Sequence, residues 1–280
     1  MLFRRLKPPV LIGNVPHVLL PTPGCFFCYF ASKQLTFSSG NLISEHTYSY
    51  SSRQVMWNPV ELPFKSDSSP PLPTVDEIRS CSDVIQRRSA KKVVAINDRA
   101  VAKFGGAIDV AEGQALVFLE RHAPGVPAPK LHAMFRDGIE VFLIMERAPG
   151  MQLDAIWPSL TESEKSSVTS KLSQIFDSMR RVECPWPDFF GGLGGGSLRH
   201  YLFYSQKGNF THLGPLHGNT DFVKSMVANF RALVERNGRA DYKVRFYEEY
   251  LAQALGDFRP TLTHGDVQKK NIMVAEIEGG

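Results

Sequence analysis

The sequence predicts an α+β protein of two lobes, a small β-rich lobe with one helix followed by a larger helical lobe. Three observations carry this. Residues 74–148 alternate short β-like apolar runs with turn residues and contain one strong helical period. Residues 149–280 are dominated by apolar stripes at helical spacing. Residues 1–73 show neither pattern and hold ten of the 19 prolines, so they read as a poorly ordered leader and linker. At 280 residues and 43% hydrophobic the chain can bury a full core.

Charge and cysteine usage narrow the function classes. The net charge of +4 comes from 32 basic and 28 acidic residues without a basic tract, so no nucleic-acid partner is expected. Cys25, Cys28, Cys81 and Cys184 are too few and scattered for a disulfide framework, which fits a reducing, cytoplasmic setting. Cys25 and Cys28 form a Cys-x-x-Cys, but "PTPGCFFCYFAS" offers neither a second ligand pair for zinc nor the βαβ context of a redox pair. The leader's apolar stretch is broken by Asn14, Pro16, His17, Pro21 and Pro23, so no membrane helix is expected. "MLFRRLK" and the acid-poor segment behind it, with Glu45 as the one acid in residues 1–60, leave a mitochondrial transit peptide as the alternative location. "KSDSSPPLP" reads as the linker into the folded part.

The elements then follow in order. Thr74 and Glu77 form a capping box that starts a short helix. "KKVVAI" and "RAVAKFG" flank the turn "NDR" as a hairpin, with Lys103 in its second strand. Ala115, Leu116, Leu119 and His122 recur at helical spacing, and that helix ends before "PGVPAP". "HAMFRDGIEVFLIMERAPG" is a second hairpin turning at Asp137-Gly138, with an apolar strand Val141 to Met145. Thr161 and Glu164 make another capping box, and Val168, Leu172, Ile175, Phe176 and Met179 line the helix behind it. Phe222, Met226, Phe230 and Leu233 line a later one.

A strand lysine, a helix carboxylate and the late stretch "LTHGDVQKKNIMV" acquire a joint meaning as parts of a phosphoryl-transfer site. Such chemistry asks the protein mainly to hold nucleotide, metal and acceptor hydroxyl in line while balancing charge. Lys103 can reach the α- and β-phosphates of ATP, and Glu112 can hold its ammonium; Glu120 is the weaker candidate for that pairing. Asp266 can accept the proton of the acceptor hydroxyl. Asn271, five residues on, offers a hard amide oxygen to Mg²⁺, and His264 braces the loop.

"THGDVQKKNIMV" resembles the Brenner motif of the aminoglycoside phosphotransferase and choline kinase group. "AVAKFG", "EGQALVFLERHAPGVPAPKLHAMF", "VFLIMERAPGMQLDAIWPSL", "FFGGLG" and "GPLHGNTDF" resemble segments of the fungal branch of aminoglycoside-phosphotransferase-domain proteins, in the same order. The resemblance implies a protein-kinase-like fold, with an N-lobe over residues 74–148 and a C-lobe over residues 149–280. It implies ATP and Mg²⁺ as cofactors and a small hydroxyl-bearing acceptor such as an aminoglycoside, choline, homoserine or a sugar. It also implies an adenine site at the backbone of Glu146 and Ala148, with Met145 behind the ring.

Three departures qualify it. Gly265 stands where protein kinases carry an arginine, which favours a small-molecule acceptor over control by activation-loop phosphorylation. No glycine-rich phosphate loop lies between "KKVVAI" and "NDRAVAK". The family's second metal-binding acid follows the loop on the next strand, whereas here the sequence reads "AEIEGG", with Glu276 and Glu278 taken as a solvated strand edge. The expectation is therefore a C-lobe truncated after the catalytic loop, with Phe222, Met226 and Phe230 partly uncovered and the chain alone aggregating without activity. A degenerate pseudokinase, serving as a nucleotide-binding or interaction module, is the alternative.

Overall fold

The computed structural model describes residues 57–198, 200, 203 and 214–275, together with the backbone of β1 (His17–Leu19) and β2 (Phe27–Cys28). Cys25, the Cys28 side chain, "MLFRRLK", Glu276 and Glu278 lie outside the described residues.

The N-terminal part contains, in chain order, β3 (Phe64–Lys65), α1 (Val75–Ser80), β4 (Val84–Arg88), β5 (Lys91–Ala95), β6 (Ala100–Gly105), α2 (Val110–His122), β7 (Leu131–Asp137) and β8 (Glu140–Glu146). Its strands form one antiparallel sheet in the order β3-β7-β8-β6-β5-β4. The capping box of α1 is complete, with the Thr74 hydroxyl accepting from the Glu77 amide and the Glu77 carboxylate accepting from the Thr74 amide at 2.7 Å. The second hairpin turns through Gly138 and Ile139, one residue later than the sequence suggests. Asp137 pairs with Glu140, and Gly138 takes the positive φ of 56° that a two-residue turn needs.

Strand alternation gives the sheet two apolar faces. On the outer face Val94, Ala102, Phe104, Ala133, Phe142 and Ile144 pack against Ile78 of α1. Phe142 is fully buried, stacked between Phe104 and Phe135 at 5.1 Å from each, a side chain whose burial is worth about 1.5–3 kcal/mol. On the inner face Leu131, Met134, Val141, Leu143 and Met145 pack with α2.

Helix α2 is buried from Glu112 to Leu119 on every side, because a segment of the expected leader covers the face turned away from the sheet. The Gln114 side chain accepts from the Val60 amide at 2.9 Å and donates to its carbonyl at 2.8 Å, and Trp57 rests on Phe118 with ring centroids 5.8 Å apart. Residues from Trp57 on, including the edge strand β3, therefore pack into the small lobe ahead of the boundary at residue 73 that composition suggests. His122 is exposed rather than part of the buried stripe.

The second part begins with β9 (Met151–Gln152), α3 (Leu153–Ile156) and α4 (Glu162–Arg180), the last with a complete Thr161–Glu164 capping box. Then come β10 (Phe189–Phe190), β11 (Leu216–His217), α5 (Gly218–Arg236), α6 (Tyr242–Leu255), β12 (Leu262–Thr263) and β13 (Met273–Ala275). "FFGGLG" and "GPLHGNTDF" meet: Phe189 pairs with His217 and Phe190 with Leu216. Val168, Ile175 and Met179 of α4 join the same core as α2 and the sheet, with Leu172 and Phe176 partly buried against it.

Two expectations for α5 are corrected. Phe222 is fully buried among Phe190, Phe203 and Phe258, with centroids 4.8, 4.8 and 5.3 Å away. Met226 and Phe230 are partly buried in the same cluster. Leu233 is 41% exposed, and Val234 takes the buried position, since the stripe follows Phe222, Val223 and Val227. No described helix is long and apolar enough to cross a membrane.

Candidate active site

The site starts from strand β6. Its pairing with β5 and β8 sets Lys103 opposite Val93 and Leu143 on the inner face, towards α2. Asp109 caps α2 by accepting from the Ala111 amide at 2.9 Å, which puts Glu112 in the first turn. Gly113 then lets the helix lie close, because a Cβ there would sit 2.5 Å from Met134 Sδ and 2.9 Å from Leu143 Cδ2. The Lys103 ammonium donates to a Glu112 carboxylate oxygen in a buried ion pair. Glu120 instead pairs with Lys130 at 3.1 Å on the surface.

The Asp266 loop is built from local hydrogen bonds between two strand ends. Gly265, with φ 74°, makes the turn that returns the Asp266 amide to His264, where it donates to Nδ1 at 3.3 Å. That bond makes Nδ1 the acceptor of a neutral ring. Burial pushes the His264 pKa down to about 4, against the opposing pull of the Asp266 carboxylate. The Asn271 amide nitrogen donates to both the Asp266 carbonyl, at 3.0 Å, and its Oδ2, at 2.9 Å. Gln268 donates to Oδ1. Both carboxylate oxygens of Asp266 are thus aimed by neutral amides, which fixes the group without neutralising it.

The segment after β8 is tied to this loop. Gln152 Nε2 donates to the Lys270 carbonyl at 3.0 Å, the Leu153 amide donates to the Ile272 carbonyl at 2.8 Å, and β9 pairs with β13. Gly150 (φ 90°) permits this contact, since a Cβ there would lie 2.2 Å from the Val274 carbonyl oxygen. Met145 is buried on the inner face. The Glu146 amide bonds the Lys130 carbonyl at 2.9 Å, whereas the half-buried Ala148 amide makes no hydrogen bond among the described residues.

Three further residues stand near these groups, Gln268 within the motif and His200 and Lys91 outside any motif. Gln268 orients Asp266, as above. His200, whose pKa burial lowers against the attraction of the Asp266 carboxylate, lies within electrostatic reach of that group. The charges of Lys103, Glu112 and Asp266 all act on Lys91. Strand β4, which the sequence reading passes over, makes a hairpin with β5 through Ser89 and Ala90. This turn, rather than the one between "KKVVAI" and "NDRAVAK", lies beside the end of β6, with the Ala107 amide donating to the Ala90 carbonyl at 3.1 Å.

Residues 110–280 match the profile of the phosphotransferase enzyme family designated APH. The chain belongs to that family. Among solved structures, two mutants of aminoglycoside phosphotransferase APH(4)-Ia are similar to this phosphotransferase at 14% identity and a TM-score of 0.41, over 72% of this chain and 71% of theirs. One is a ternary complex with ADP and hygromycin B, the other with AMP-PNP and hygromycin B. No curated protein matches in sequence.

The donor set of this phosphotransferase fits a magnesium ion carried in by a nucleotide. Among the described residues no three His, Cys, Asp or Glu side chains cluster to hold a metal by themselves. Asn271 commits its amide nitrogen to Asp266, which leaves Oδ1 as a hard oxygen ligand beside the Asp266 carboxylate. One protein oxygen can take part in holding Mg²⁺ when phosphates and water supply the rest.

Proposed function

We propose that this phosphotransferase moves the γ-phosphoryl group of ATP to a hydroxyl of a small molecule. The observation that carries the reading is a buried Lys103–Glu112 ion pair together with an Asp266 carboxylate braced by amides, the charges of Glu112 and Asp266 both acting on Lys91. Lys103 binds the α- and β-phosphates and Glu112 holds its ammonium in place. The adenine bonds the Glu146 carbonyl and the Ala148 amide, with Met145 behind the ring. Asn271 Oδ1 would hold the magnesium, which would supply charge neutralisation at the phosphate oxygens.

Asp266 takes the proton from the acceptor hydroxyl as its oxygen forms the new bond to phosphorus, and the bond to the ADP oxygen breaks. His264, neutral at working pH, fixes the backbone of Asp266 and takes no proton. Gly265 in place of a longer side chain supports a small acceptor over a protein.

The test is ATP-dependent phosphorylation of a panel of aminoglycosides, choline, homoserine and sugars, with Asp266→Ala alongside. Transfer to a panel member, lowered about 10²–10⁴-fold by Asp266→Ala with ATP affinity within a few-fold, supports the reading. Transfer at near-normal rate in Asp266→Ala contradicts it, and ATP binding without transfer to any hydroxyl points to the nucleotide-binding module instead.

A further inference from the structure

We infer that Lys91 is a second phosphate-binding cation, one that grips the terminal phosphate of the nucleotide between Lys103 and the Asp266 loop. The inference rests on the ATP-binding reading above and adds to it a residue that no motif marks.

Register carries the first step. Val93 pairs with Lys103 and Lys92 with Phe104, so Lys91, two residues before Val93, projects from the same face of the sheet as Lys103. Diagonal neighbours of this kind lie roughly 7–8 Å apart, within reach of one phosphate chain for two long side chains. The backbone is held there. Gly105 (φ 137°) would place a Cβ 2.4 Å from the Ala90 carbonyl oxygen and 2.9 Å from Lys91 Cα, so only glycine lets the turn sit this close to β6.

Charge carries the second step. Lys91 is half-buried and, among the described residues, makes no hydrogen bond or ion pair. The charged groups acting on it are Lys103, Glu112, Arg88 and Asp266. Glu112 is already committed to Lys103, and Asp266 to the amides of Gln268 and Asn271. Burial works against the Lys91 ammonium, and the Lys103 charge beside it works in the same direction. A cation held near a second cation, with no carboxylate of its own, is complementary to a polyanion.

Position assigns the phosphate. Lys103 is anchored to Glu112 at the start of α2, whereas Lys91 opens β5 beside the turn that approaches the end of β6, and the Asp266 charge also acts on it. It therefore meets the phosphate nearest the acceptor, and its contribution separates ATP from ADP.

The experiment is calorimetric titration of the full chain with ATP, ADP and AMP, for wild type, Lys91→Met, Lys91→Arg and Lys103→Ala. The expected result is a loss of about tenfold or more in ATP affinity for Lys91→Met, with ADP and AMP changed less than about threefold and Lys91→Arg largely restored. Gly105→Ala, which shifts the turn, should lower ATP affinity in the same sense. Lys91→Met binding ATP within twofold of wild type, while Lys103→Ala weakens it, overturns the role of Lys91 and leaves the ATP site standing. A wild-type chain that binds none of the three nucleotides overturns both. Lys91→Met should keep the unliganded melting temperature, since no bond is lost, and a large drop would assign Lys91 a structural role instead.

Discussion

The Lys103 ammonium and the Glu112 carboxylate pair across the gap between β6 and α2 with side chains only 10% and 9% exposed. Nine residues link them, and the close approach that Gly113 allows turns that short link into a contact. Removing one partner leaves a buried charge without compensation, a change that costs about 3–5 kcal/mol. Glu112→Ala should therefore lower unfolding free energy by about that amount, and the double variant Lys103→Met/Glu112→Leu should recover much of it, as read by urea denaturation. Additive losses would show that the pair is not coupled.

The Gly150 contact joins the strand after β8 to β13. Gly150→Ala meets both a positive φ and the Val274 carbonyl 2.2 Å from the new Cβ. A loss of about 1–3 kcal/mol is expected, with faster hydrogen exchange at the Leu153 amide, whose partner is the Ile272 carbonyl. Unchanged exchange at that amide would separate the hinge from the loop.

Much of this was legible locally. The capping boxes at Thr74 and Thr161, the β5–β6 hairpin and the Asp266–Asn271 spacing are decided by residues within a few positions of one another. What was not legible depends on distant partners. Trp57 and Val60 sit in a proline-rich stretch, and only the Gln114 side chain 54 residues on and the Phe118 ring show that they pack. Strand β4 is exposed throughout and has no alternation to read, so pairing with β5 alone defines it. His200 and Lys91 carry no motif, and only the fold brings them near Asp266.

His264 gives a pH dependence. Its folded pKa of about 4 lies below the unfolded value of 6.5, so between these two pH values the unfolded state binds more protons. Stability is then complete above about pH 6.5 and falls as pH drops towards 4, by on the order of 3 kcal/mol for this group. Denaturation midpoints at pH 7, 5.5 and 4.5 check the trend, and His264→Asn should flatten it over that range.

Asn271 braces Asp266 through both its carbonyl and Oδ2. Asn271→Ala frees the carboxylate to rotate, so turnover with a productive acceptor should fall about tenfold to a hundredfold. An Asn271→Ala enzyme with normal turnover would show that Gln268 alone suffices to aim the carboxylate and would contradict a magnesium role for Asn271.

The most direct measurement is calorimetric titration of ATP into the wild-type chain, with and without Mg²⁺, beside Lys103→Ala. The expected result is binding that strengthens with Mg²⁺ and weakens about tenfold or more in Lys103→Ala. No binding by the folded wild-type chain, or binding that Lys103→Ala leaves unchanged, would contradict a nucleotide site built on Lys103, Glu112 and the Asp266 loop.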